Sequence, residues 1–147
     1  MDDKQLLKII CMCSIITGAI LGVLPLVPKL TGIAFSIVMF FSAPFIIIYL
    51  YKLNLIKELN IPKCLTIGAF TGFFSFVGFS IVYFPIAFIL YSIFKISSFL
   101  WIKVVFTNIG FLIPMVILTA LLCGLMNMFS AFMTLYLYEY FKGKKEV

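Results

Sequence analysis

Four long apolar segments dominate the pattern of hydrophobic and polar positions along this chain. A helix rises about 1.5 Å per residue, so an apolar run of about 18 residues or more can cross a hydrocarbon core about 30 Å thick. The apolar segments, which end at prolines or polar connectors, run over residues 7–27, 30–51, 64–83 and 115–138. The pattern therefore predicts an all-α integral membrane protein with four transmembrane helices, forming a single membrane domain over residues 1–147.

Short sequence echoes predict that these helices are two copies of one hairpin. The sequence ITGAILG at 16–22 resembles TIGAFTG at 66–72, FSA at 41–43 recurs at 129–131, and YLY at 49–51 recurs at 136–138. We interpret residues 7–52 and 64–141 as two repeated helical hairpins. Aligning the echoes leaves an apolar insertion, residues 85–114, between helices 3 and 4, and the first hairpin has no counterpart to it.

The insertion combines apolar residues with a few polar and basic ones. It lies between Pro85 and Pro114 and contains Lys95, Trp101 and Lys103. Lysines and a tryptophan on an apolar helix are typical of a helix at the lipid interface; a re-entrant segment is the alternative. We treat Lys95, Trp101 and Lys103 as candidate functional residues of a lid or docking surface, although the segment could equally be an amphipathic spacer.

The distribution of lysines predicts the orientation of the chain. Eight lysines lie near the chain ends and in the connector between helices 2 and 3, whereas three lie on the opposite side. Positive residues concentrate in cytoplasmic loops, so we expect a multi-pass protein of the cytoplasmic membrane with both termini in the cytoplasm. The use of lysine alone, alongside many phenylalanines and isoleucines, is typical of an AT-rich coding sequence and points to a bacterial source.

Composition restricts the candidate chemistry. The chain is 65% hydrophobic and 11% charged, whereas soluble domains carry roughly 25% charged residues. The net charge of +6 is spread over helix ends, which fits lipid headgroups and not nucleic acid. The sequence has no histidine, no CxxC pair among its four cysteines and no carboxylate pair beyond Asp2 and Asp3 at the N-terminus. We therefore expect neither enzymatic activity nor a cofactor or metal.

Small residues recur every four positions on helices 1 and 3. Ser14, Gly18 and Gly22 form one stripe, and Gly68 and Gly72 form the other. Small residues let membrane helices approach closely. We favour internal packing of helices 1 and 3 about a pseudo-two-fold axis; the alternative is a seam for a second copy or a partner protein.

Two candidates lie near the middle of predicted helices. Asn127 shares a helical face with the packing residue Gly124, and a buried amide in lipid needs a partner. We favour a hydrogen bond to a neighbouring helix, and the alternative is a polar path or a headgroup ligand. Pro44 breaks helix 2 and should bend it; we favour a static bend over a gate.

No Asp, Glu or Lys lies within the four predicted helix cores, which disfavours a pump or an ion-coupled transporter. The expected function is that of a non-enzymatic accessory or interaction subunit, whose partners are the lipid bilayer and a membrane protein or a second copy. One alternative is a passive channel or carrier for a small or lipidic molecule, active as an oligomer. Another is an immunity-type or holin-type protein. Polar residues facing one cavity would favour transport, and an exposed small-residue groove would favour a partner.

Overall fold

The computed structural model describes residues 3–53, 55, 60–95 and 100–143, and every regular element within them is helical. The α-helices are α1 (Asp3–Leu21), α2 (Thr31–Ser36), α3 (Ser42–Lys52), α4 (Ile61–Phe94), α5 (Leu100–Thr107) and α6 (Ile109–Gly143). Two 3-10 turns, Leu24–Leu26 and Pro28–Leu30, connect α1 to α2. A π-helical turn, Ile37–Phe41, joins α2 to α3.

Four stretches of the described chain are helical, long and apolar enough to cross a membrane. Spans 1 to 4 are Gln5–Leu26, Thr31–Lys52, Ile61–Phe94 and Gly110–Tyr138. Span 2 is built from α2, the π turn and α3. The prediction of an all-helical protein with four membrane-length apolar helices is therefore confirmed.

Helix α4 is the centre of the bundle. It packs along α1 on one side and along α6 on another, while span 2 lies against both α4 and α6. Buried apolar residues form one cluster around Leu50, Cys64 and Leu135, and a second around Val38 and Phe79. Because α4 contacts two long neighbours, small residues are needed on more than one of its faces.

The two predicted hairpins are packed differently from each other. Helices α4 and α6 contact each other along much of their length, whereas α1 and span 2 touch far less. One pair of echo residues does meet, since the Tyr138 hydroxyl is hydrogen-bonded to the Tyr51 hydroxyl and the ring centroids are 5.1 Å apart. The duplication itself stays a prediction.

The prediction that Pro85 ends helix 3 and Pro114 precedes helix 4 is wrong. Helix α4 has 34 residues with Pro85 inside it, and α6 has 35 residues with Pro114 inside it. Proline is tolerated within membrane helices because neighbouring groups can satisfy the backbone that it frees. Residues 85–114 do not form one helix of their own, and their status as an insertion relative to the first hairpin stays a prediction. They are divided between the end of α4, α5 and the start of α6, with 96–99 outside the described residues.

Candidate functional site

Each of the four spans contributes at least one polar side chain that is fully buried. These side chains are Ser14, Ser42, Thr71, Ser75 and Asn127. They lie in neighbouring parts of the bundle, because Gly18 abuts Ser75, Gly72 abuts Asn127, and Asn127 bonds to the residue after Ser42. We call this set the buried polar layer.

The amide of Asn127 is the most extensively bonded side chain of that layer. Its Oδ1 accepts a hydrogen bond from the backbone N–H of Ala43 at 2.8 Å. Its Nδ2 donates to the carbonyl oxygens of Val38 and Met39, both at 2.9 Å. The same nitrogen also donates to the Cys123 carbonyl at 2.9 Å, one turn earlier in α6. Since an amide nitrogen has two hydrogens, one of them is shared between acceptors.

The backbone of span 2 is irregular where Asn127 bonds to it. Pro44 has no N–H, so it cannot bond to the Phe40 carbonyl, as a residue at that place in an α-helix would. The π turn Ile37–Phe41 directly precedes this break. Asn127 thus reaches across to both sides of an irregular stretch, and a side chain inserted into a helical ladder is a recognised cause of a kink. Pro44 and Asn127, which are separate candidates in the sequence, therefore belong to one local structure.

This geometry bears on what Asn127 can do chemically. Its side chain is fully buried, and both of its N–H hydrogens are directed at backbone carbonyls. A ligand would have to displace those bonds in order to gain a donor from the amide. The arrangement supports the structural interpretation of Asn127. The static bend at Pro44 stays a prediction.

Three hydroxyls of α4 were not recognised as a group from the sequence. The side-chain oxygens of Thr71, Ser75 and Ser80 are buried and have no hydrogen-bond partner among the described residues. By contrast, the Ser14 hydroxyl donates to the Ile10 carbonyl at 2.6 Å. The four-residue spacing of Thr71 and Ser75 was the available sequence signal, because it places both hydroxyls on one helical face.

The glycines of α1 lie directly against α4. A Cβ added at Gly18 would be 1.9 Å from the Ser75 carbonyl oxygen, and one added at Gly22 would be 2.8 Å from that of Phe79. Gly78 of α4 is equally close to α1, with its added Cβ 2.4 Å from the Ile15 carbonyl oxygen. Backbone-to-backbone contact of this kind leaves no room for a methyl group.

The glycines of α4 have a different neighbour from the one expected. A Cβ at Gly68 would be 2.6 Å from the Asn127 carbonyl oxygen, and one at Gly72 would be 2.3 Å from that of Cys123. The prediction that both stripes meet between helices 1 and 3 is therefore wrong for Gly68 and Gly72, which pack on α6. The reason is the central position of α4. Gly124 of α6 completes this second seam, since its added Cβ would be 3.1 Å from the Ala69 carbonyl oxygen.

The candidates of the predicted insertion lie apart from the buried polar layer. Lys95 is exposed and ends α4 in a left-handed conformation with φ 48°. Lys103 is exposed on α5, which packs on α4 through Phe88 and Phe106, with ring centroids 4.5 Å apart. Trp101 lies in the first turn of α5, and its side chain is outside those described. The structure therefore does not bring Lys95 or Lys103 together with Asn127 or Pro44.

An apolar groove opens on the outside of the bundle between α4 and α6. Its volume is about 540 Å³. It is lined by Ala69, Phe70, Phe73, Phe74, Leu121, Gly124, Leu125 and Met128. We call it the α4/α6 groove. Small residues contribute to its floor, because Gly124 lies against Ala69, and three phenylalanines form much of its α4 side.

Comparisons with known proteins assign no family to this architecture. No protein-family model matches the chain, and neither a curated protein nor a solved structure shows significant similarity to it. The class that the structure defines is an all-helical protein whose four long apolar helices are those of a multi-pass membrane protein.

Proposed function

We propose that the chain is a non-enzymatic subunit of a membrane assembly and that it binds a transmembrane helix of its partner in the α4/α6 groove. The observation that carries this proposal is an outward apolar groove whose floor includes Ala69 and Gly124. Helices associate in lipid through small residues that allow close backbone approach. A phenylalanine-walled groove with such a floor offers that contact to another helix.

The buried polar layer supports an interaction role over a passive channel. A channel or carrier needs polar groups along a path that its cargo can reach. Here Asn127 is fully buried and bonded to the backbone of span 2. No observation on the described residues favours the channel, the lipidic carrier or the immunity- or holin-type alternatives.

Photocrosslinking at adjacent positions of α6 tests the partner. Leu121 lines the groove and is 53% exposed, whereas Leu122 is 45% exposed and does not line it. We expect a photoreactive amino acid at position 121, but not at 122, to form a discrete adduct in native membranes with a second membrane protein. Mass spectrometry should place the crosslink within a transmembrane helix of that protein. Adducts only with lipid, only with another copy, or equally from both positions would contradict the proposal.

We also propose that both termini lie on the cytoplasmic side of the inner membrane, because most of the lysines lie near the termini and in the connector on the same side. Lys29 and Lys52 are exposed at opposite ends of span 2. In a variant whose native cysteines are replaced, Lys29→Cys should react with a membrane-impermeant maleimide in intact cells. Lys52→Cys should react only after the cells are opened. The reverse pattern would require the opposite orientation.

A further inference from the structure

A second groove lies between α1 and α4, at the end of the bundle where both helices begin. Its volume is about 300 Å³. It is lined by Leu6, Leu7, Ile10, Pro62, Lys63, Thr66, Ile67 and Phe70. We call it the α1/α4 groove. Unlike the α4/α6 groove, it has no glycine or alanine in its lining, so a second helix backbone has no small-residue floor to approach.

The α1/α4 groove is polar at one end and apolar along the rest. Lys63 is exposed in the first turn of α4, which begins at Ile61. Phe70 lies seven residues further into span 3, which is about 10 Å along the helix. The groove therefore runs from the boundary of the membrane-spanning segment into its apolar part. This division matches a phospholipid, whose charged headgroup stays at the interface while its acyl chain lies in the hydrocarbon.

The polar end of the α1/α4 groove offers a positive charge to a ligand. Lys63 is a positive charge of the kind that binds phosphate. The neighbouring Thr66 hydroxyl donates to the Pro62 carbonyl at 2.8 Å, so its hydrogen is already used. Lys63 is thus the side-chain donor that the groove offers to a ligand. By the lysine distribution this end faces the cytoplasmic leaflet, which is the anionic one.

We propose that the α1/α4 groove binds an anionic phospholipid, with its phosphate at Lys63 and an acyl chain along Leu7, Ile10 and Phe70. This site is independent of the partner groove. An apolar trough alone would hold any acyl chain. The lysine makes the site selective for a headgroup with net negative charge.

Quenching of tryptophan by brominated lipid tests the site. The probe is Leu7→Trp in a Trp101→Phe background, reconstituted in phosphatidylcholine vesicles with a small fraction of brominated phosphatidylglycerol or brominated phosphatidylcholine. We expect phosphatidylglycerol to occupy the groove about fivefold more strongly, since a lysine near a charged bilayer contributes about 1 kcal/mol. Lys63→Gln should remove this preference, and Lys103→Gln at the other end of the bundle should leave it intact.

A matched position controls for general enrichment of anionic lipid around a basic protein. Phe132 on α6 is 39% exposed, and Leu7 is 38% exposed. Gly18 of α1 packs against Ser75 of α4, and Gly68 of α4 packs against the Asn127–Ala131 turn of α6. These two contacts align the three helices. Leu7 and Phe132 therefore lie at similar depth in the membrane. Phe132→Trp in the same background should show no headgroup preference. Equal quenching by both lipids at Leu7→Trp, no quenching by either, or a preference that survives Lys63→Gln would overturn the proposal.

Discussion

Replacing Asn127 by leucine is expected to destabilise the folded protein by about 2–5 kcal/mol, as the sum of several lost buried hydrogen bonds. The change removes the amide from the N–H of Ala43 and from the carbonyls of Val38 and Met39. These groups lie where water cannot replace the lost partner. The measurement is the free energy or midpoint of unfolding of purified protein in a fixed detergent or bilayer mimic.

Two variants separate hydrogen bonding from shape in this experiment. Asn127→Asp keeps the size of the side chain but loses the NH₂ group that faces Val38 and Met39, so it too should be destabilised. Asn108→Leu is the matched control, because Asn108 is exposed and its amide bonds, among the described residues, to the Val104 carbonyl alone, at 3.3 Å. That change should alter stability little. If Asn127→Leu is as stable as Asn108→Leu, the hydrogen bonds of Asn127 do not stabilise the fold and the prediction is wrong.

The hydrogen bonding of Asn127 could be predicted from the sequence, but its partners could not. A lone amide in an apolar helix predicts an interhelical hydrogen bond, and the structure contains such bonds. Its partners are backbone groups more than 80 positions away in span 2, and no local pattern encodes that pairing. Pro44 indicated that span 2 is irregular, but the sequence did not connect the two residues.

The spacing of the echoes changes once within span 2. Phe41 and Phe129 are 88 positions apart, whereas Tyr49 and Tyr136 are 87 apart. If the echoes are true repeats, span 2 therefore contains one residue more than span 4 over this stretch. Because FSA at 41–43 still aligns with FSA at 129–131, the extra residue falls between Ala43 and Tyr49, the stretch that holds Pro44. The π turn Ile37–Phe41 lies before that stretch. The change of offset therefore coincides with Pro44 and did not predict the π turn.

The predicted boundaries of helices 3 and 4 were wrong for a different reason. Proline ends helices in water because the freed carbonyl and the ring clash are costly there. In a long apolar helix the alternative to a helical backbone is worse, since unpaired peptide groups in hydrocarbon cost more than a kink. Pro85 and Pro114 accordingly lie inside α4 and α6. Apolar length predicted the existence of the spans, and proline was the wrong marker for their ends.

The small-residue stripes were recognisable from their spacing, but their neighbours were not. A four-residue repeat indicates a face for close packing without indicating which helix fills it. In the structure α4 turns Ser75 and Gly78 towards α1, and Gly68 and Gly72 towards α6. One helix therefore holds both neighbours through two different faces. A substitution that disrupts either seam should therefore destabilise the whole bundle.

Gly18→Ala is expected to be among the most harmful single-methyl changes, with a loss of stability of about 1–3 kcal/mol or more, as for overpacked sites. The new Cβ would be 1.9 Å from the Ser75 carbonyl oxygen and 2.7 Å from its carbon. These are backbone atoms, so α1 and α4 have to separate along the seam. Ser75→Gly should not rescue the variant, because removing the serine side chain leaves the obstructing carbonyl in place. Unfolding curves of the single and double variants measure both effects.

Gly32→Ala is the matched control, because nothing lies within 4 Å of a Cβ added at Gly32. Alanine is favoured over glycine in a helix by about 1 kcal/mol, so this variant should be as stable as the parent or more so. The difference between the two alanine variants then isolates the steric cost of the seam from helix propensity. If Gly18→Ala has the same free energy of unfolding as Gly32→Ala but no longer forms oligomers, the α1 stripe is an interface between copies. A folded but dissociated protein would then contradict the internal packing of α1 on α4.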